Sequence, residues 1–267
     1  MFLFNEFKNK TVLITGATGN LGKLLSNTFF EHNANLILID RSLHELKKLE
    51  KNLIKTDQKN SISIFSCDMS KFKNRERVIS KIKNSFNKID IFINNAAVTG
   101  NLQSKGWNTD FVNQDISLWN KVFEVNLYSI FQFTQRLNSL LSNSNSCSII
   151  NISSIYSKLA PSFEIYKNTN INNPAAYSAS KAALNNLTKW LASRLSPNIR
   201  VNAICPGGIK ANQDKNFVKK ISKKIPLNRL ANPEEVINVI LFLSSSYSSY
   251  INGQLINVDG GMSIFQN

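Results

Sequence analysis

Tyr177 and Lys181, in Tyr177-Ser178-Ala179-Ser180-Lys181, form the pair in this chain best suited to moving a proton. Residues four apart lie on one face of a helix, so the ammonium can sit near the phenol. A phenol ionises near pH ~10 and must be made more acidic to exchange protons near neutrality, which a fixed cation beside it favours. Taken alone, a Tyr-x-x-x-Lys pair is common on structural helices and carries little weight. A second group of residues changes the balance. Thr15-Gly16-Ala17-Thr18-Gly19-Asn20-Leu21-Gly22 links an apolar run to a helical segment. Glycine is needed where a tight turn brings backbone N–H groups and a helix N-terminus against a pyrophosphate. Asp40 closes the next apolar run and is placed to accept hydrogen bonds from adenosine ribose hydroxyls. A carboxylate there repels the extra phosphate of NADP, so NAD is expected rather than NADP, with the adjacent Arg41 softening the preference. The competing reading is a plain turn followed by a solvated aspartate.

These residues need a scaffold, and the chain alternates short β-like runs with helical ones, the pattern of a parallel sheet wrapped by helices. Strands are expected at Thr11–Thr15, Asn35–Asp40, Ser61–Ser66, Ile89–Asn94, Ser148–Ser153, Ile199–Ile204 and Gln254–Val258. Most are continuous apolar runs, as for strands covered on both faces. Helices are expected at Leu21–Glu31, Leu43–Ile54, Ala175–Leu195 and from Pro233, with Ser117–Leu141 reading as one long helix. Proline at a first turn, followed by Glu234 and Glu235, suits a helix start. Two stretches, Val98–Gln114 and Ser157–Pro174, read as loops. With no repeat and no linker, residues 1–267 read as one Rossmann domain, an α/β doubly wound parallel sheet of about seven strands with helices on both faces.

In this order the motifs resemble the short-chain dehydrogenase/reductase family over nearly the whole chain. The resemblance implies a lid at about residues 207–228 and reversible alcohol–carbonyl interconversion with a nicotinamide cofactor. It makes Tyr177 the general acid/base and Lys181 the group that lowers its pKa and holds the nicotinamide ribose. It makes Ser154 the carbonyl-orienting serine, with Ser153 as runner-up. It also makes Asn126, in VFEVNL, a helix-bending residue that holds a water. Cofactor contacts are implied for Gly16, Thr18, Gly19, Asn20, Leu21, Gly22, Asp40 and Arg41. Further contacts are Asp68 and Met69 in CDMS, Asn95, Ala96 and Ala97 after the fourth strand, and Pro206, Gly207 and Ile209 after the sixth. Val258-Asp259-Gly260-Gly261 matches the family's C-terminal signature. There are departures. Asn20 stands where compact members usually carry glycine, and the GxxGxxG spacing resembles the extended, two-domain branch. The chain's length and its PG and DGG motifs belong to the compact branch. Ala97 replaces a glycine, and Gly208-Ile209-Lys210 lacks the threonine that commonly follows the PG turn.

Composition bounds the partners. Of 267 residues, 42% are hydrophobic and 18% charged, which suits a globular core. No run approaches the ~18–20 apolar residues of a membrane span, and MFLF is too short for a signal-peptide core, so a cytoplasmic protein is expected. Cys67, Cys147 and Cys205 have neither metal-ligand nor disulfide spacing and read as buried thiols. No metal is expected. The net charge of +15 is spread over lysines without a nucleic-acid motif, so neither nucleic acid nor membrane is expected as partner. A nucleic-acid binder and a catalytically silent NAD-binding module remain as rivals. The distance from Ser154 to Tyr177 is longer than usual for the family, and residues 157–174, with Pro161, Phe163 and Tyr166, border the catalytic pair. They either shape the substrate pocket or form a surface insertion. Stretches including SSIYSKLAPSFEIYKNT resemble a narrower branch associated with bacterial surface-sugar and flagellin-glycan biosynthesis. Lys210, Lys215, Lys219, Lys220, Lys223 and Lys224 in the lid either face an anionic small molecule, such as a sugar phosphate or nucleotide sugar, or are solvated. By resemblance the protein is a homotetramer or homodimer, through the long helices.

Overall fold

Seven aliphatic runs become seven parallel strands: β1 Thr11–Thr15, β2 Asn35–Asp40, β3 Ile62–Ser66, β4 Ile91–Asn94, β5 Cys147–Ile152, β6 Ile199–Pro206 and β7 Leu255–Val258. They lie in one sheet of order β3-β2-β1-β4-β5-β6-β7. The computed structural model describes residues 6–54, 60–99, 104–169 and 171–264. The MFLF segment lies outside the described residues, as do residues 100–103 of the first expected loop and residue 170 of the second.

Alternation along each strand explains why the runs are apolar throughout. Val12, Ile14, Leu36, Leu38, Ile91 and Ile93 face one helical layer, where Leu25 and Phe29 of α1 (Asn20–Glu31) are buried. Leu13, Ile37, Ile39, Phe92 and Ile149 face the other layer. The chain steps outward from β1 to β3 and then returns beside β1 as β4, with Val12 opposite Ile91. Such a reversal leaves a crevice at the C-terminal strand ends, where ligands of doubly wound sheets bind.

The strand ends differ from expectation by one or two residues, and α2 covers Leu43–Leu53. The helix after β3 was not anticipated. α3, Phe72–Ser85, buries Arg75, Val78, Ile79 and Ile82 at helical spacing inside a strongly charged stretch that hides the pattern. The expected single helix over Ser117–Leu141 is corrected. It is α4 (Ser117–Phe123), a π-helical stretch (Glu124–Tyr128), α5 (Ser129–Arg136) and α6 (Asn138–Ser142). A π turn admits an extra residue, and here it carries Asn126. Asn126 Oδ1 accepts from Val98 N–H at 2.7 Å, and its Nδ2 donates to Val98 O at 3.2 Å and Ser180 Oγ at 3.0 Å. A second break falls at Leu137, whose ψ of 7° leaves the helical region.

α7 spans Ala175–Leu195, α8 spans Lys215–Ser222 within the lid segment, and α9 spans Pro233–Ser244. α9 starts with a capping box: Asn232 N–H donates to Glu235 Oε2 at 2.8 Å. All three cysteines are buried free thiols. Among the described residues no helix is long and apolar enough to cross a membrane.

Candidate active site

The turn after β1 is closed by contacts that exclude side chains. Gly16 has φ +66°, and a Cβ there would lie 2.8 Å from Ala96 Cα. A Cβ on Gly22 would lie 2.1 Å from Gly16 O, so the first turn of α1 seats directly on the loop. Thr15, which sequence reading did not single out, fastens this loop to the end of β4. Its Oγ1 accepts from the N–H groups of Asn95 and Ala96, both at 3.1 Å, and Asn95 Nδ2 donates back to Gly16 O at 2.9 Å. The N-terminus of α1, which begins Asn20-Leu21 after Gly19, has no acidic residue and no side-chain cap. Its amides keep their attraction for an anion.

Asp40 sits at the end of β2 beside this turn. Its Oδ2 accepts from Thr18 N–H at 3.0 Å and its Oδ1 from Arg41 N–H at 2.7 Å, while the Arg41 side chain is exposed. Burial pushes the Asp68 carboxyl up, but hydrogen bonds from Ser70 and the nearby Lys71 outweigh it and hold it below its usual value. Met69 is buried beside it, its carbonyl accepting from Arg75. Ala97 follows Ala96 on the same segment. Across the crevice, Gly207 N–H donates to Val258 O at 3.0 Å, after Pro206 at the end of β6, and Ile209 bridges to Ala231. Positive-φ glycine, a cradle that a Cβ would fill, an uncapped helix start and a strand-end carboxylate together fit a dinucleotide.

The first two turns of α7 carry Tyr177, Ser180 and Lys181 to the same end of the sheet. The Ser154 hydroxyl lies close enough to the Tyr177 phenol to lower its pKa, and Lys181 Nζ lies 5.9 Å from the centre of the Tyr177 ring. Lys181 is buried and donates to Ile152 O at 2.6 Å. Burial holds its pKa down at about 8. Burial raises the Tyr177 pKa, and the Ser154 hydrogen bond only partly offsets this. In the protein by itself, desolvation therefore outweighs the lowering of the phenol's pKa expected from the lysine. Ser153 is turned away from Tyr177, with its Oγ donating to Asn185 Oδ1 at 2.7 Å and Lys181 O at 3.3 Å. Asn126 stands one layer behind the pair and reaches it through Ser180, whose Oγ donates to Tyr177 O at 2.7 Å.

The structure therefore brings together Ser154, Tyr177 and Lys181, and holds Asn126 behind them. Sequence reading missed Tyr156 and Asn173 near the pair. The signal for Tyr156 was its place two residues after Ser154. Of the lid lysines, Lys220 Nζ donates to Lys167 O at 2.5 Å, which ties the lid to residues 157–174. Lys210, Lys215, Lys219 and Lys223 are exposed.

A Rossmann sheet with a glycine turn at its crossover and a Ser-Tyr-Lys group above its strand ends defines a nicotinamide-dependent oxidoreductase. The sequence comparisons agree. A family model described as enoyl-(acyl carrier protein) reductase matches residues 16–263. The 3-oxoacyl-[acyl-carrier-protein] reductase FabG of Thermotoga maritima is 32% identical, over 97% of this chain and 100% of that protein. The post-translational flagellin modification protein A of Campylobacter coli is 29% identical, over 95% of this chain and 98% of that one. A short-chain dehydrogenase from Leptospira borgpetersenii with bound NAD+ superposes with a TM-score of 0.82 at 31% identity, covering 97% and 94% of the two chains. Solved structures of this fold are described with NAD+ or with NADP bound. The chain belongs to the short-chain dehydrogenase/reductase family.

Proposed function

We propose that this protein interconverts a secondary alcohol and a ketone using NAD(H), with Ser154, Tyr177 and Lys181 as its catalytic group. The observation that carries this is the convergence of the three side chains at the strand ends that also hold the glycine turn and Asp40. Bound against the glycine turn, the dinucleotide supplies or accepts the hydride. In reduction, the Tyr177 phenol gives its proton to the carbonyl oxygen, and Ser154 donates a hydrogen bond to the same oxygen as charge develops on it. Lys181, buried beside the phenol, favours the phenolate left behind, which eases transfer of the proton to the carbonyl oxygen. Asn126, held by Val98 and Ser180, positions the first turn of α7 from behind.

NAD is assigned over NADP on Asp40, whose carboxylate would face a 2′-phosphate with like charge. A sugar-like, anionic substrate is supported by the lysines of the lid and by the likeness to the flagellin modification protein. A homodimer or homotetramer is supported by a groove between α5 and α7 that exposes Phe131 and Trp190.

Tyr177→Phe is the direct test. Turnover of any accepted alcohol or ketone should fall about 10²–10⁴-fold, the range expected for removing a general acid, while NADH binding stays within a few-fold. Retention of most of the turnover would overturn the assignment. A wild-type protein that binds NADH yet turns over no alcohol or ketone would be a nucleotide-sensing module instead.

A further inference from the structure

Two more phenols stand near Tyr177. Tyr156 lies in the 3-10 turn Ile155–Ser157, and its N–H donates to Ser154 Oγ at 3.2 Å, which fixes it relative to that serine. Tyr166 ends the 3-10 turn Phe163–Tyr166, in the segment that lengthens the chain between Ser154 and Tyr177. The two hydroxyls are hydrogen-bonded at 2.9 Å. The Tyr166 ring stacks on Phe217 of α8, with centroids 5.7 Å apart and planes 21° apart. Ile165 is buried with Phe217 and Ile221, so the extra segment and the lid share one small core.

The direction of these hydrogen bonds is set from one end. Ser178 Oγ donates to Asn173 Oδ1 at 2.9 Å, which leaves the amide nitrogen of the buried Asn173 for the neighbouring Tyr166 phenol, whose pKa Asn173 lowers. Tyr166 then donates to Tyr156. Each proton is thereby used except the last. The Tyr156 proton has no acceptor among the described residues. Tyr177 lies within electrostatic range of both phenols. Burial raises the pKa of Tyr156 and of Tyr166, so both stay protonated at any working pH.

We propose that Tyr156 is a specificity-determining donor, which hydrogen-bonds a second oxygen of the substrate on the carbon next to the one that reacts. The inference rests on the oxidoreductase reading above and narrows its substrate class to hydroxyketones and vicinal diols. Tyr156 follows Ser154 by two residues, its N–H is held by the Ser154 hydroxyl, and its phenol lies within electrostatic range of Tyr177, which puts it beside the reacting group. A partly buried donor left without an acceptor counts against a substrate that lacks the second oxygen. Tyr166 and Asn173 act through Tyr156 and are positioning residues.

The test compares kcat/KM with NADH for ketone pairs of matched size: hydroxyacetone against butanone, and 2-hydroxycyclohexanone against 2-methylcyclohexanone. The wild type should favour the hydroxyl member of each pair by about 10–100-fold, the order for one partly buried donor left unpaired. In Tyr156→Phe that ratio should collapse towards one, with no shift in the pH profile. The ratio is internal to each protein and does not depend on how much of it folds. Tyr166→Phe, which loosens the chain of donors, should lower the ratio part of the way and serves if Tyr156→Phe does not fold. No preference in the wild type, or a preference that survives Tyr156→Phe, overturns the inference. A wild type that binds NADH, reduces neither member of any pair and turns over no other alcohol or ketone overturns the oxidoreductase reading itself, and the inference falls with it.

Discussion

Lys181 shows at the scale of one residue how a site opposes stability. It is buried with one carbonyl for a partner, and its pKa falls from 10.5 to about 8. A lysine whose folded pKa lies below its unfolded one destabilises the fold while it is charged. The penalty is full below pH 8 and is relieved as pH rises from about 8 to 10.5, where the unfolded chain binds the extra proton. Lys181→Met removes a buried charge of about 3 kcal/mol and loses one hydrogen bond of about 1 kcal/mol. The cofactor-free variant is therefore expected to be more stable than wild type by about 2 kcal/mol at pH 7, with the gap closing towards pH 10.5. Thermal melts at the two pH values check this, and equal melting temperatures at pH 7 would show the burial cost to be illusory. The cysteines are simpler: burial pushes the Cys67 thiol up to about 11, and Cys147 higher still, so neither is a nucleophile near neutral pH.

At the scale of elements, the cofactor turn works because three pieces meet. Gly16 and Gly22 let α1 seat on the loop, Thr15 joins the loop to β4, and Asp40 ends β2 by accepting from Thr18 N–H. Asp40 thus shapes the turn as well as carrying the charge on which the proposed choice of NADH rests. Asp40→Ser keeps a short acceptor for Thr18 N–H and removes the charge. The ratio of NADPH to NADH dissociation constants is expected to fall at least about tenfold, equivalent to about 1.4 kcal/mol of relieved repulsion. Titration by energy transfer from tryptophan measures both constants, and an unchanged ratio would remove Asp40 from cofactor choice. The π stretch belongs to the same scale. It interrupts a segment that reads as one helix so that the Asn126 amide can bind both backbone groups of Val98.

For the whole molecule, the question is what covers its exposed aromatic face. Phe72 is 57% and Trp190 55% exposed, with Tyr128 and Phe131 beside them on a groove along α3, α5 and α7. Grouped aromatics of that kind mark protein interfaces more often than solvent-facing surface. Neither Ser154, Tyr177 nor Lys181 lines the groove, which suits it to assembly rather than chemistry. Wild type is expected to sediment as a dimer or tetramer, and the double variant Phe131→Glu, Trp190→Glu as a smaller species. A monomeric wild type would refute the interface. Of the lysines behind the net charge of +15, Lys220 of the lid is bound to the Lys167 carbonyl.

What the sequence determined by itself is local. Apolar runs of strand length, a glycine turn between strand and helix, and a tyrosine four residues before a lysine each need only neighbouring residues to be read. The seven strands, the doubly wound order and the convergence of Tyr177 with Lys181 were therefore legible. Contacts between distant segments were not. Ser153 and Ser154 are alike until the fold gives Asn185 to one and Tyr177 to the other. Asn126 bends its helix because Val98 lies opposite it, and Tyr156 gains its place from Asn173 and Tyr166 on a segment folded back over the lid. Even the acidity of the catalytic pair was decided in three dimensions. Spacing puts a cation near the phenol, but burial, which only packing creates, sets the pKa of both.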